Sequence, residues 1–407
     1  MDAKAPDFIA AAMAETGATA PWIGFNVALA ANMIREAAAM VTQMGGEIIP
    51  SNKPGSLAMG VVKPKGVCVG IAPWNAPVIL CTRAIAMAVA CGNTVVLKSS
   101  ELCPATHRLI GQCFADAGLP AGVVNVISNA PADAALVVAA LIKAPAVRHI
   151  NFTGSSAVGR IIGRLAGEAL KPALLELGGK APLVVLDDAD IDGAVNAAIF
   201  GCFMNMGQIC MSTKRIIVDV SIADEFAGKY AARAAKLPAG NPRGQVVLGG
   251  LCTPGAGEKM AALIADAVAL GGKVLAGGTR DGAVVTATVI DHVTDKMRIY
   301  HEESFGPVKP IIRVQGEDEA VRVANDTEYG LSAAVFSRDI QRALNVAGRI
   351  ESGICHINGP TVADEPQMPF GGVKASGHGR FGGKAAIAEF TDLRWITIED
   401  PNQHYPF

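Results

Sequence analysis

Two short stretches of this sequence carry side chains able to do covalent chemistry. Asn205-Met206-Gly207-Gln208-Ile209-Cys210-Met211-Ser212 sets a cysteine among small and polar residues. A thiolate is the strongest side-chain nucleophile near neutral pH, and this is a poor setting for an inert core thiol. The chain has nine cysteines, however, and the type is mostly a small buried hydrophobe, so Cys210 alone reads either way. The second stretch is Glu176-Leu177-Gly178-Gly179-Lys180, after the apolar run Ala173-Leu174-Leu175. Glu176 therefore ends a predicted strand beside two glycines that let another group approach closely. A carboxylate there suits a general base; standing alone it would read as a solvated strand-end charge.

These residues need rigid elements to hold them. From residue 66 the sequence alternates strand and helix. Val67–Ile71, Thr94–Leu97, Val123–Ile127 and Arg148–Phe152 read as strands. Helices fall at 76–90, about 104–117 and about 132–143 between them. After residue 180 the pattern restarts, with strands at Leu183–Leu186, Arg215–Val218, Val308–Val314, Ala333–Phe336 and Ile354–Ile357. Such alternation predicts an α/β fold with parallel sheets covered by helices on both faces. Residues 5–43 read as helices rich in Ala and Met, and Ser51–Ser56 as a turn between two short strands.

Glu176 and Cys210, with the motifs below, resemble the aldehyde dehydrogenase superfamily from near the first residue to about residue 398. The resemblance implies a Rossmann-like cofactor domain, a second α/β catalytic domain and a small β oligomerisation sheet. The expected divisions are 1–46 and 66–178 for the NAD-binding domain, 179–386 for the catalytic domain, and 47–65 and 387–407 for the oligomerisation strands. Family members carry several tens of residues ahead of the point where this chain begins, so an N-terminal segment is expected to be missing. A non-catalytic, cofactor-binding remnant is one reading of that, set against a full complement of chemical residues.

The resemblance also assigns roles. Cys210 is the nucleophile and Glu176 the base that deacylates it. Asn75, in Pro73-Trp74-Asn75, becomes an oxyanion donor together with the Cys210 N–H; by its position alone it could simply cap the following helix. Lys98 and Glu101 bind the adenosine ribose, and a carboxylate at 101 favours NAD over NADP; the residues alone permit a solvated charge pair. In Phe152-Thr153-Gly154-Ser155-Ser156-Ala157-Val158-Gly159, the family loop places Ser155 and the helix N-terminus at the pyrophosphate, with Gly154, Val158 and Gly159 close by. Ile71, Ala72, Pro73, Trp74 and Leu177 line the same cofactor, Glu303 holds the nicotinamide ribose, and Phe305 packs near the nicotinamide. Read alone, Glu302-Glu303-Ser304-Phe305 is a solvated acidic loop.

The segments His356-Ile357-Asn358-Gly359-Pro360-Thr361 and Phe390-Thr391-Asp392-Leu393-Arg394-Trp395 look like those of the salicylaldehyde, vanillin and benzaldehyde branch. Ala76, Ile79, Leu80 and Arg83 share a helix face, which in the family lines the aldehyde channel. The small Ala76 leaves width for a ring, with Met204 and Phe370 as apolar walls. Arg83 either contacts a polar substituent on the ring or forms a structural ion pair. Aliphatic or semialdehyde oxidation is the alternative substrate class. Acylation of coenzyme A is another, disfavoured by the presence of Glu176.

Composition limits the rest. The chain has 407 residues, 51% hydrophobic and 18% charged, with a net charge of −2. That suits a large buried core and gives neither a nucleic-acid surface nor a polybasic membrane patch. No Cys/His spacing suggests a metal site, and nine scattered cysteines argue for a reducing compartment. No secretory leader and no apolar run of about 20 residues is apparent, so a cytoplasmic protein is expected; the resemblance implies a homodimer or homotetramer acting on a small aldehyde.

Overall fold

The computed structural model describes residues 1–407. A six-stranded sheet runs in the order Gly377–His378, Ala173–Glu176, Val147–Thr153, Val67–Ile71, Thr94–Lys98, Val124–Ile127. Five of its strands are parallel, and only Gly377–His378 is antiparallel to its neighbour. The central runs, such as Val67-Cys68-Val69-Gly70-Ile71, are apolar throughout because helices cover both faces. The helix Pro77–Ala90 packs against this sheet and against the N-terminal helix Ala20–Met40. Pro at the first position of Pro77–Ala90 opens it without losing a hydrogen bond.

A seven-stranded sheet forms the other half. Its order is Lys273–Ala276, Thr288–Asp291, Val308–Val314, Arg215–Asp219, Pro182–Val185, Ser332–Phe336, Ile354–Ile357. Lys273–Ala276 and Thr288–Asp291 were not among the predicted strands. They lie beside glycine-rich turns, and Lys273-Val274-Leu275-Ala276 is an exposed antiparallel edge without the long apolar run of a central strand. A third sheet pairs Leu57–Pro64 with Glu47–Ile49 and with the C-terminal strand Thr391–Ile398, all antiparallel.

The chain order puts Gly377–His378 late in the sequence, yet it completes the first sheet, its Gly377 opposite Glu176. The end of the Glu176 strand is thereby held from both sides, by Val147–Thr153 and by this returning hairpin. The facing ends of the two large sheets, joined at Leu177-Gly178-Gly179-Lys180, are where the candidate residues gather.

Candidate active site

Cys210, Glu176 and Asn75 line one cavity of about 300 Å³, shared with Trp74, Gly154, Ser155, Gly178, Lys259, Glu303 and Phe305. The two glycines after Glu176 explain how three segments meet there. A Cβ on Gly178 would lie 2.7 Å from the Glu303 carboxylate, and one on Gly179 would lie 2.7 Å from the Cys210 carbonyl. Any larger residue would push the Cys210 loop away from Glu176.

The loop that carries Cys210 is itself strained. Asn205, Met206 and Gly207 take φ of 46°, 55° and 72°, three left-handed residues in succession. Left-handed backbone costs a non-glycine residue about 1–3 kcal/mol, so the surroundings must impose it. Asn205 Nδ2 donates to the Asn75 carbonyl at 2.9 Å, and Trp22 Nε1 donates to the same oxygen at 3.1 Å. Lys214 Nζ donates to the carbonyls of Cys210 at 2.7 Å and Ile209 at 3.0 Å, and ion-pairs with Glu303 at 3.0 Å.

Asn75 does not cap its helix. The cap position is Ala76 without a side-chain bond, and Asn75 Nδ2 instead donates to the Gln208 carbonyl at 3.0 Å. One amide proton of Asn75 remains for another acceptor, and the Cys210 N–H donates to no group of the protein. Two free donors beside a thiol are what a developing oxyanion needs.

Electrostatics set the resting state. Burial pushes the Cys210 thiol well above its ordinary pKa, with the Glu176 charge adding to it; Lys214 and Arg83 act the other way. Burial also pushes Glu176 up to about 8, opposed by Arg83 and reinforced by Asp364 and Glu303. Both Glu176 carboxyl oxygens are buried without a hydrogen-bond partner. An unpaired acid in that setting holds its proton at neutral pH and can take up or release one as its surroundings change.

A second cavity of about 610 Å³ opens at the ends of the first sheet, lined by Ile71, Ala72, Pro73, Lys98, Glu101, Gly154 and Val158 among others. Ser155 caps the helix Ser156–Glu168, its Oγ accepting from the Val158 N–H at 3.4 Å, so the hydroxyl is engaged within its own helix. Gly159 fits the predicted close packing, because a Cβ there would overlap Leu177. Lys98 and Glu101 are ion-paired, and Asn129 Nδ2 donates to Glu101 Oε1 at 3.1 Å. Partial burial works against the Glu101 charge, but the Lys98 ion pair, a backbone hydrogen bond and Asn129 together outweigh it and hold Glu101 below the usual carboxylate range.

Glu303 is not a solvated loop acid. Besides Lys214, its Oε1 accepts from the Gly179 N–H at 3.1 Å. Phe305, with a left-handed φ of 52°, meets Trp74 edge to face at 5.9 Å. Trp74 belongs to the first half of the molecule and Phe305 to the second, so the cavity is closed from both.

The expected substrate residues separate. Arg83 is ion-paired with Asp364, both side chains nearly buried, and its guanidinium lies over Phe370 at 4.2 Å from the ring centroid. Met204 borders a different cavity, about 450 Å³, with Trp22, Phe200, Phe203 and Asn205. Ala76 is buried and lines neither.

Sequence reasoning missed Trp22, Asn205, Lys214, Lys259 and Asp364. Asn205 lay inside the quoted motif, and Lys214-Arg215 is a charged doublet opening an apolar strand, which was a readable signal. Nothing local marks Trp22 or Asp364, since each acts through a partner distant in sequence.

Cys210, Glu176 and Asn75 gather in one cavity beside a dinucleotide-sized groove at the ends of the first sheet, an arrangement in keeping with an aldehyde-oxidising oxidoreductase. The sequence model described as the aldehyde dehydrogenase family matches residues 1–396, and the chain belongs to that family. It is 62% identical to vanillin dehydrogenase of Pseudomonas fluorescens over all of this chain and 84% of that protein. It is 53% identical to salicylaldehyde dehydrogenase of Pseudomonas putida, over all of this chain and 85% of that one. The crystal structure of a salicylaldehyde dehydrogenase from Pseudomonas putida G7 complexed with salicylaldehyde superposes with a TM-score of 0.98 at 52% identity, covering all of this chain and 84% of that one.

Proposed function

We propose that the protein oxidises an aromatic aldehyde to the carboxylic acid, with Cys210 as nucleophile, Asn75 and the Cys210 N–H as oxyanion donors, and Glu176 as deacylation base. The carrying observation is that these three residues line one cavity, where both Glu176 carboxyl oxygens are buried without a hydrogen-bond partner. The Cys210 sulfur adds to the aldehyde carbon. Charge on the carbonyl oxygen is met by the two N–H donors. A nicotinamide dinucleotide, held by groove residues such as Lys98, Glu101 and Gly154 and reaching Glu303 and Phe305, would supply the hydride acceptor. Loss of hydride from the tetrahedral carbon leaves a Cys210 thioester, and Glu176 takes a proton from the water that hydrolyses it. The presence of this base favours hydrolysis over transfer to coenzyme A.

For the cofactor, the fit rests on the groove's size and on its lining at the strand ends, which includes Gly154, Lys98 and Glu101. The paired but charged Glu101 would accept ribose hydroxyls and repel a 2′-phosphate, which supports NAD over NADP. Residues 1–46 and 66–178 then form the cofactor domain and 179–386 the catalytic domain.

The aromatic substrate is supported by two features. Trp22, Phe200, Phe203 and Met204 give a ring-sized apolar cavity on the other side of Asn205. Arg83 offers cationic donors and Asp364 Oδ1 is a buried acceptor without a partner, a pairing suited to a phenolic substituent. The named relatives act on vanillin and salicylaldehyde, which carry such groups. Exposed Ile48, Leu393 and Trp395 on the three-stranded sheet suit burial against other copies, as a homodimer or homotetramer. No helix is long and apolar enough to cross a membrane, which fits the cytoplasmic reading.

The test is an aldehyde panel with NAD and with NADP. Benzaldehyde-type substrates should give higher kcat/KM than acetaldehyde or betaine aldehyde. Arg83→Ala should lower kcat/KM more for hydroxylated benzaldehydes than for benzaldehyde. If short aliphatic aldehydes win, the substrate assignment is wrong, and equal losses on both aromatics return Arg83 to a structural role.

A further inference from the structure

Beneath the nucleophile loop lies a lysine that the chemistry above leaves unused. Lys309, second residue of the strand Val308–Val314, is fully buried. Its Nζ has one hydrogen-bond partner, Ser212 Oγ at 2.9 Å, and it pairs with no carboxylate, unlike the neighbouring Lys214 with its Glu303. The Ser212 hydroxyl in turn donates to the Gly201 carbonyl at 2.9 Å, at the end of the helix Ile191–Phe203. The Ser212 N–H donates to Ile209, closing the turn that contains Cys210. Lys309 also packs on the apex of the left-handed run. A Cβ on Gly207 would sit 2.8 Å from Lys309 Nζ, 2.6 Å from the Gly306 carbonyl and 2.9 Å from the Cys202 carbonyl.

Burying an amine without a counter-ion works against folding. Burial lowers Lys309 to about 7, consistent with that cost. An unbranched apolar side chain of similar length would fill the same space without it. What the amine adds is a polar tie between the strand after the Glu303–Phe305 loop and the two ends of the nucleophile loop, Gly207 and Ser212.

We propose that Lys309 is a positioning residue for the reaction: through Ser212 and its packing on Gly207 it holds the left-handed turn that aims the Cys210 thiol and N–H at the reacting carbon. This rests on the reading of Cys210 as the nucleophile.

The experiment compares wild type, Lys309→Met, Ser212→Ala and the double variant. Four quantities are read: kcat, alkylation of Cys210 by iodoacetamide followed by peptide mass spectrometry, the NAD dissociation constant, and the melting temperature. Lys309→Met should lower kcat and slow Cys210 alkylation by about ten- to a hundredfold, as expected for loss of a charge-assisted bond. Its NAD affinity should stay within twofold, and its melting temperature should be unchanged or higher. Ser212→Ala should give the same pattern, and the double variant should be no worse than Lys309→Met. Lys309→Met with kcat and alkylation within twofold of wild type would overturn the proposal. So would a lowered melting temperature with parallel loss of NAD affinity, which marks a merely structural lysine. Wild-type turnover that survives complete alkylation of Cys210 would instead sink the nucleophile reading itself.

Discussion

The groove at the end of the first sheet and the loop that carries Cys210 are built by opposite means. The groove relies on ordinary backbone: strand ends, a helix capped by Ser155, and glycines such as Gly159 seated against Leu177. Its one prominent charged feature, Lys98 with Glu101, is partly solvated. The loop relies on a run of left-handed residues that the chain repeats nowhere else at that length. It strings three left-handed residues together, ties Asn205 to the Asn75 carbonyl that Trp22 also holds, and is braced at Cys210 and Ser212 by two buried lysines. It also faces a carboxylic acid with no hydrogen-bond partner. A surface made of many small contacts loses little when one is removed. A strained loop held by a few polar ties loses its geometry at once. The binding half should therefore degrade gradually under mutation and the chemical half abruptly.

That contrast is sharpest at the sulfur. Cys210→Ala should reduce turnover by about 10⁴-fold or more, because the covalent step has no substitute group. NAD affinity, measured by fluorescence titration, should change by no more than about twofold. A matching loss of NAD binding would show that the two regions are not separable.

The pH dependence follows from burial. With Glu176 raised to about 8, only a minor fraction is ionised at pH 7. The base is the ionised form, so the deacylation rate should rise about tenfold from pH 7 to a plateau above pH 8, as the ionised fraction does. Single-turnover thioester hydrolysis across pH 6 to 9 reads this directly. A plateau already reached at pH 6 would mean that Glu176 is ionised at rest.

The smallest effect belongs to the groove. Glu101→Gln removes the charge that opposes a 2′-phosphate while keeping its size. The ratio of NAD to NADP kcat/KM should fall by about tenfold, equivalent to about 1.4 kcal/mol. A wild-type preference for NADP would reverse the assignment.

The same contrast governs what could be read from the sequence. The parallel strands were legible because runs such as Pro182–Val185 and Val67–Ile71 are apolar on both faces, a pattern that survives without knowledge of neighbours. Lys273–Ala276 was not, because an exposed edge strand carries no such run. Cys210, Glu176 and Asn75 stood out as motifs, and the structure brings all three to one cavity. The supports stayed hidden. Trp22 reaches Asn75, Asp364 reaches Arg83 and Lys309 reaches Ser212 across long stretches of chain, and a sequence gives no distance between such residues. Arg83 illustrates the gap: its odd charge on an apolar helix announced a partner, but only the fold identifies Asp364.

The division of labour between Cys210 and Glu176 is the centre of this account, and rapid mixing of Glu176→Gln with NAD and a benzaldehyde-type substrate tests it most directly. Acylation and hydride loss need only Cys210 and its donors, so a burst of NADH close to one per active site should survive. The hydrolysis that follows should slow by about 10²- to 10⁴-fold for want of the base. A missing burst together with unchanged steady-state turnover would contradict the assignment of Glu176 as the deacylation base.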